Sequence, residues 1–121
     1  MIRRGSVHWA RLDKRRPVLV VSPDYRNEWA SDVLVVPCST VRRTAPTHVL
    51  LRRGEAGLPA PSAAKCEQVM TLPRGDLDSE ALGPSLGGER MDQVERALLR
   101  AFGIGPAALD RHLRALLDEE M

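Results

Sequence analysis

Arg15-Arg16-Pro17-Val18-Leu19-Val20-Val21-Ser22 and, ten residues further on, Val33-Leu34-Val35-Val36-Pro37-Cys38-Ser39-Thr40 decide the fold of this chain. Each is a short, unbroken run rich in β-branched residues, the pattern of a strand buried on both faces. Pro17 fits the start of the first run, where a strand residue can lack a ladder donor. The runs also carry polar residues at their edges. One begins on the guanidinium of Arg16, and the other ends on the hydroxyls of Ser39 and Thr40. Laid side by side, they would aim a cation and an alcohol at one point, a pairing that suits a phosphodiester.

Working outward, Gly5 to Asp13 (GSVHWARLD) alternates apolar and polar residues and predicts a strand before these two, joined to them through a tight turn at Lys14-Arg15. Residues 23–31 read as a polar loop with one helical turn over Tyr25 to Trp29. The runs Val33 to Val36 and His48 to Leu51 read as two further strands, separated by a basic loop from Val41 to Pro46. A Gly/Pro-rich connector over Arg53 to Pro61 leads into Ser62 to Leu72 (SAAKCEQVMTL), which predicts one more strand. In that strand Ala64, Cys66, Gln68 and Met70 face one side, and Lys65, Glu67 and Val69 the other. Residues 73–88 are irregular, with a short strand expected at Ala81 to Pro84. From Gly88 the period changes: Met91, Val94, Leu98, Ala101 and Phe102 predict a helix over 89–102 that ends at Gly103. Pro106 opens a second helix, whose stripe of Leu109, Leu113, Leu116 and Leu117 is expected to pack on the same domain or on a partner subunit. Its acidic end, Asp118-Glu119-Glu120, opposes the helix dipole. Strands first and helices last give an α+β domain built on an antiparallel sheet or small barrel.

The chain has 121 residues, the size of one domain, and its 3% aromatic content makes the core aliphatic. No apolar run is long enough to span a membrane. No hydrophobic leader follows Met1-Ile2-Arg3-Arg4, so a cytoplasmic location with no membrane partner is expected. Cys38 and Cys66 lack CxxC spacing and read as free buried thiols; no metal site and no cofactor are expected. The net charge is +2, but residues 1–53 hold 11 Lys/Arg against 4 Asp/Glu while residues 54–121 hold 7 against 12. The clusters Lys14-Arg15-Arg16, Arg42-Arg43 and Arg52-Arg53 in the basic half point to a polyanionic partner.

The order RRPVLVV, VLVVPCST, PTHVLL, CEQVMTL and a terminal amphipathic helix resembles the MazF/PemK family of toxin–antitoxin endoribonucleases from about Arg3 to Ile104. The resemblance implies a small antiparallel Src-homology-3-like barrel (MazF/CcdB-like) over residues 1–104, with the 105–121 helix added. It also implies a homodimer, metal-independent cleavage of single-stranded RNA to 2′,3′-cyclic phosphate and 5′-hydroxyl ends, and a cognate antitoxin protein that occludes the RNA groove.

By the same resemblance Arg16 matches the family's functional Arg, and Ser39 stands where the family usually has Thr. Thr40 lies beside it, and the sequence leaves open which hydroxyl is the important one. Arg16 is too basic for a general base but well shaped to hold phosphate oxygens as charge develops. No Ser–His–Asp set accompanies Ser39, so a nucleophilic serine is not expected. Candidate substrate-binding residues are His8, Lys14, Arg15, Arg42, Arg43, Glu67 and Gln68. The alternation around His8 and Trp9 sets one on the core side and the other on the groove side. His48 reads as structural, and Gln68 can read a base edge. Met70 stands where the family often has Arg. The short turn Asp13-Lys14-Arg15, where many relatives have a long loop, leaves base selection to Tyr25–Trp29 and Val41–Thr44; Trp29 is expected to pack against the barrel. Two other classes fit the same scaffold: a CcdB-like poison of DNA gyrase, which binds a protein, and a non-catalytic RNA-binding barrel.

Overall fold

The computed structural model describes residues 1–120. Six strands, β1 (Val7–Arg11), β2 (Arg15–Val20), β3 (Asp32–Ser39), β4 (His48–Leu51), β5 (Ser62–Lys65) and β6 (Met70–Pro73), form one antiparallel sheet. Three helices accompany them: α1 (Asp24–Trp29), α2 (Gly88–Ala101) and α3 (Pro106–Glu119). The order is β1-β2-β3-β5-β4, with β6 also paired to β3. The expected barrel is therefore a rolled, open sheet. No ladder joins its ends, and a single bridge from Ala10 to Leu77 is what brings β1 toward the chain after β6.

β3 organises the sheet. β2 pairs with Val35–Pro37, β6 with Asp32–Val35, and β5 with Cys38–Ser39. The two long apolar runs are buried on both faces, as their composition predicts. Leu19, Val36 and Cys38 face the larger core under α2, with Val7, Leu58, Ala64 and Val94. Val18, Val20, Val33 and Val35 face a smaller core with Ala10, Leu72 and Leu77. Met91, Val94 and Ala97 of α2 supply the buried helical stripe, whereas Phe102 is 63% exposed. Gly103 (φ +74°) ends α2 in a Schellman motif: its N–H donates to Arg100 O, and Ile104 N–H donates to Leu99 O.

Three expectations are corrected. Ser62 to Leu72 is two strands, because a 3-10 turn at Cys66–Gln68 carries the chain from one end of β3 to the other. The break falls where the ladder on that edge of β3 skips Val36 and Pro37, and Pro37 has no N–H to donate. Residues 81–84 form no strand; Leu82 instead donates its N–H to Val7 O at 2.8 Å. The 105–121 helix does not pack on the domain. No residue of α3 is buried, and Leu109, Leu113, Leu116 and Leu117 are 44%, 54%, 56% and 55% exposed. Residue 121 lies outside the described residues. No helix among those described is long and apolar enough to cross a membrane.

Candidate functional site

At the end of β3 that carries Ser39, a cleft of about 600 Å³ is lined by Asp13, Arg16, Ser39, Lys65 and Gln68 over an apolar floor that includes Leu12, Pro37 and Met70. The register explains the convergence. Val18 pairs with Pro37, and continuing that antiparallel register by two residues sets Arg16 opposite Ser39. Side chains alternate along a strand, so Arg16, Val18 and Val20 share one face of the sheet with Val35, Pro37 and Ser39. The valines fill the smaller core, and the charged and hydroxylated ends of the same rows emerge at its rim.

Arg16 is held before any ligand arrives. Its Nε donates to Asp13 Oδ1 at 3.0 Å and its Nη2 to Asp13 Oδ2 at 3.2 Å, a two-pronged contact across the β1–β2 turn. The hydrogen bonds from Arg16, and then from the Lys14 backbone, hold the Asp13 carboxyl below its usual range, and the carboxylate raises Arg16 in return. A phosphate offers two oxygens in the same geometry and can take the place of Asp13 on the fork. Ser39 Oγ accepts the Val41 N–H at 3.1 Å, which fixes the oxygen and leaves the hydroxyl hydrogen to donate. Lys65 lies one alternation beyond Ala63, the residue paired with Ser39, and brings a second cation to the same face. The 3-10 turn carries Gln68 to the Lys65 side of the cleft, where strict alternation would separate the two.

Cys38 also touches the cleft but is only 2% exposed, and burial, reinforced by Cys66, pushes its thiol up to about 12. Cys66 is pushed up to about 11 by burial and then by Glu67. Neither supplies a thiolate near neutral pH.

The remaining predicted site residues lie elsewhere. His8 is fully buried, 2.8 Å from both Ser6 Oγ and Asp78 O, so it cannot meet a substrate. Trp9, its neighbour, is the residue that turns outward. Arg15 points to the face opposite Arg16, stacks over Trp9 at 5.4 Å and pairs with Asp78 at 2.6 Å. Lys14 is exposed at the turn, outside the lining. Thr40 is exposed just past β3 and also outside it. Arg42 and Arg43 are exposed in the loop that begins at Val41, a lining residue. Glu67 turns away from the cleft: it accepts Thr47 Oγ1 at 2.9 Å and lies 3.0 Å from His48 Nε2. His48 Nδ1 sits 3.2 Å from Arg43 O, so Glu67 and His48 together brace the basic loop.

Tyr25 and Trp29 are 74% and 85% exposed on α1, which Arg26 ties to Asp32 at the far end of β3. The length of β3, roughly 23 Å from Asp32 to Ser39, separates them from the cleft. They do not line the cleft, and Trp29 does not pack on the sheet. Sequence reasoning missed Asp13 and Lys65 as site residues. Asp13 was discoverable as a carboxylate three residues before Arg16 across a tight hairpin turn, and Lys65 as one of only two lysines in the chain.

A rolled antiparallel sheet here presents an arginine fork beside a hydroxyl, an arrangement whose donors suit phosphate oxygens. The sequence profile described as "PemK-like, MazF-like toxin of type II toxin-antitoxin system" matches residues 3–102. Endoribonuclease MazF3 of Mycobacterium tuberculosis is 32% identical over 97 residues, 80% of this chain and 87% of that protein. The structure of Mycobacterium tuberculosis toxin MazF-mt6 matches with a TM-score of 0.75 at 30% identity, covering 83% of this chain and 98% of the other. A mycobacterial endoribonuclease in complex with its cognate antitoxin matches with a TM-score of 0.76 at 29% identity, covering 87% and 98%. The chain belongs to the PemK/MazF family, as a toxin endoribonuclease of a type II toxin–antitoxin system.

Proposed function

We propose that the chain cuts single-stranded RNA in the Arg16–Ser39 cleft, by attack of a ribose 2′-hydroxyl on the adjacent phosphate, with no metal ion. The products are a 2′,3′-cyclic phosphate and a 5′-hydroxyl. Arg16 exchanges Asp13 for two phosphate oxygens and neutralises the charge that grows on them, and the Ser39 hydroxyl donates to the same group. Asp13, released from the fork, takes the 2′-hydroxyl proton, and the departing 5′-oxygen takes a proton from solvent. Lys65 adds attraction for the backbone, Gln68 contacts a base edge, and Arg42 and Arg43 guide the strand from the neighbouring loop.

The protein works in the cytoplasm as a homodimer, and a cognate antitoxin holds it inactive by covering the cleft. The observation that carries this reading is the register that brings Arg16 and Ser39 to one accessible rim. The test is digestion of a random RNA pool by the purified protein in excess chelator, with the end chemistry mapped, alongside Arg16→Ala. Cleavage with cyclic ends by the wild type, and at least a hundredfold loss in the variant, is expected. An RNA pool left intact by the wild type, or unaltered cleavage by Arg16→Ala, refutes it.

A further inference from the structure

α3 lies beyond the 3–102 family match, and two of its features are unexplained by the fold around it. Its leucine stripe is uncovered: Leu109, Leu113, Leu116 and Leu117 together expose the equivalent of about two whole leucines. Its charges also run against its own dipole. The first turn has no acidic residue and no side-chain cap, while the C-terminal end carries Asp118, Glu119 and Glu120 with no basic residue in the last turn. Carboxylates belong at a helix N-terminus, not at the opposite end.

We propose that α3 pairs with α3 of a second copy, antiparallel about Leu113, as an exchanged arm of the homodimer. The inference rests on the homodimer in the reading above. Residue 120 lies seven residues after Leu113 and Pro106 seven before it, about 10 Å in each direction along the helix. Antiparallel pairing therefore sets Leu113 against Leu113 of the second copy and Leu109 against Leu116 and Leu117 of the second copy. It delivers the acidic end of each helix to the uncapped N-terminus of the other.

A receptor for that acidic end exists at the base of α3. A groove of about 240 Å³ there is lined by Arg96, Leu99, Arg100, Ile104, Pro106 and Leu109. Arg96 and Arg100 also line a neighbouring groove of about 320 Å³ that reaches Leu50 on β4. Neither arginine has a carboxylate partner among the described residues, whereas Arg90 is occupied by Glu55 at 2.8 Å. Each helix thus meets the charge it lacks, and each contact occurs twice, which closes a dimer rather than extending a filament. Two 14-residue helices bury less than the roughly 1,200 Å² of a stable interface, so the pair works together with the adjoining groove along α2.

The experiment is sedimentation equilibrium of the full chain: wild type, Leu113→Asp, the reversal Asp118→Lys/Glu119→Lys/Glu120→Lys, the reversal Arg96→Glu/Arg100→Glu, and the two reversals combined. All these side chains are exposed, and thermal melts check that the sheet is intact. A dimer weakened at least tenfold by Leu113→Asp and by each reversal, and regained when the reversals are combined, is expected. An unchanged dissociation constant in Leu113→Asp overturns the arm. So does a variant that still self-associates normally but no longer binds its antitoxin, which would assign the stripe to that partner. A wild type that is monomeric at micromolar concentration refutes the homodimer itself, and RNA cleavage measured on the same preparation tells that outcome apart from a failure of the catalytic reading.

Discussion

Replacing the two neighbouring hydroxyls separately tests the site more sharply than removing its arginine. Ser39 lines the cleft opposite Arg16, while Thr40 lies outside the lining on an exposed bend, although in sequence the two are equivalent candidates. In the proposed mechanism Ser39→Ala removes a donor to the phosphate whose charge grows in the transition state. Loss of one such preorganised donor slows a reaction about 100-fold or more, near 2.7 kcal/mol in activation free energy. The structural cost is small by comparison. Ser39 Oγ gives up one hydrogen bond from the Val41 N–H, and Val41 is 59% exposed, so water replaces the acceptor. That change is worth about 1 kcal/mol at most.

The expected result is therefore a protein whose melting temperature moves by a few degrees and whose single-turnover cleavage of an RNA oligonucleotide, in chelator, drops by two orders of magnitude. Ser39→Thr keeps the hydroxyl on a strand position that suits a β-branched residue, and should cut within a few-fold of wild type. Thr40→Ala should stay within about twofold, since its hydroxyl neither lines the cleft nor holds the turn. A folded Thr40→Ala protein that has lost about 100-fold, or a Ser39→Ala protein that cuts normally, would refute the assignment of the reacting phosphate to the Arg16–Ser39 rim.

Three further outcomes follow from the same geometry. Asp13→Asn removes the only carboxylate among the lining residues and loosens the fork that orients Arg16; KM for RNA should fall several-fold with the lost repulsion while kcat falls by more, as steady-state kinetics would read. His8 is lowered from its ordinary value of 6.5, chiefly by burial, so as pH falls through 6.5 the unfolded chain takes up a proton more readily than the folded chain. Stability is therefore full above that pH and declines as pH falls below it, and urea midpoints measured downward from pH 6.5 should show a slope that His8→Gln flattens. Gly57→Ala should destabilise by about 3 kcal/mol or more in urea unfolding: φ is +79° and a Cβ would lie 2.3 Å from the Leu82 carbonyl carbon. Gly54→Ala, at φ +90° with nothing within 4 Å, should cost only about 1 kcal/mol.

The elements legible in the sequence are those whose local pattern and tertiary environment agree. His48–Leu51 is a strand in both readings, and α2 differs by one residue at each end, because β-branched runs and a 3.6-residue stripe meet the surfaces they predict. The illegible parts depend on what lies beside them. Nothing in SAAKCEQVMTL marks Cys66–Gln68 as a turn. Its break reflects a gap in the ladder of β3, almost 30 residues earlier in the chain. His8 fails for a related reason: alternation gives its face correctly, but that face is closed by the segment around Asp78, whose carbonyl the imidazole meets across 70 residues. Arg15 and Arg16 are told apart in the sequence only by the resemblance, which singles out Arg16; the pleat is what sends one to Asp78 and the other to the cleft.

The break in that ladder also explains why the cleft is where it is. A strand paired continuously along both edges leaves no room beside it for a ligand. β3 is paired through Asp32–Val35 by β6 and at Cys38–Ser39 by β5, and the interval at Val36 and Pro37 is spanned by a turn rather than by backbone hydrogen bonds. Lys65, Gln68 and Met70, which line the cleft, flank or belong to that turn. Arg16 and Asp13 approach from the opposite edge, where β2 pairs with the same stretch of β3. The cleft is therefore anchored on rigid strands on one side and on a three-residue turn on the other. Substitutions at Gln68 or Met70 can reshape what the cleft accepts without moving the arginine or the hydroxyl. The short β1–β2 turn contributes Leu12 and Asp13 but is too small to cover the opening, so in the proposed reading the Cys66–Gln68 turn and the basic loop that starts at Val41 are where base preference would be set.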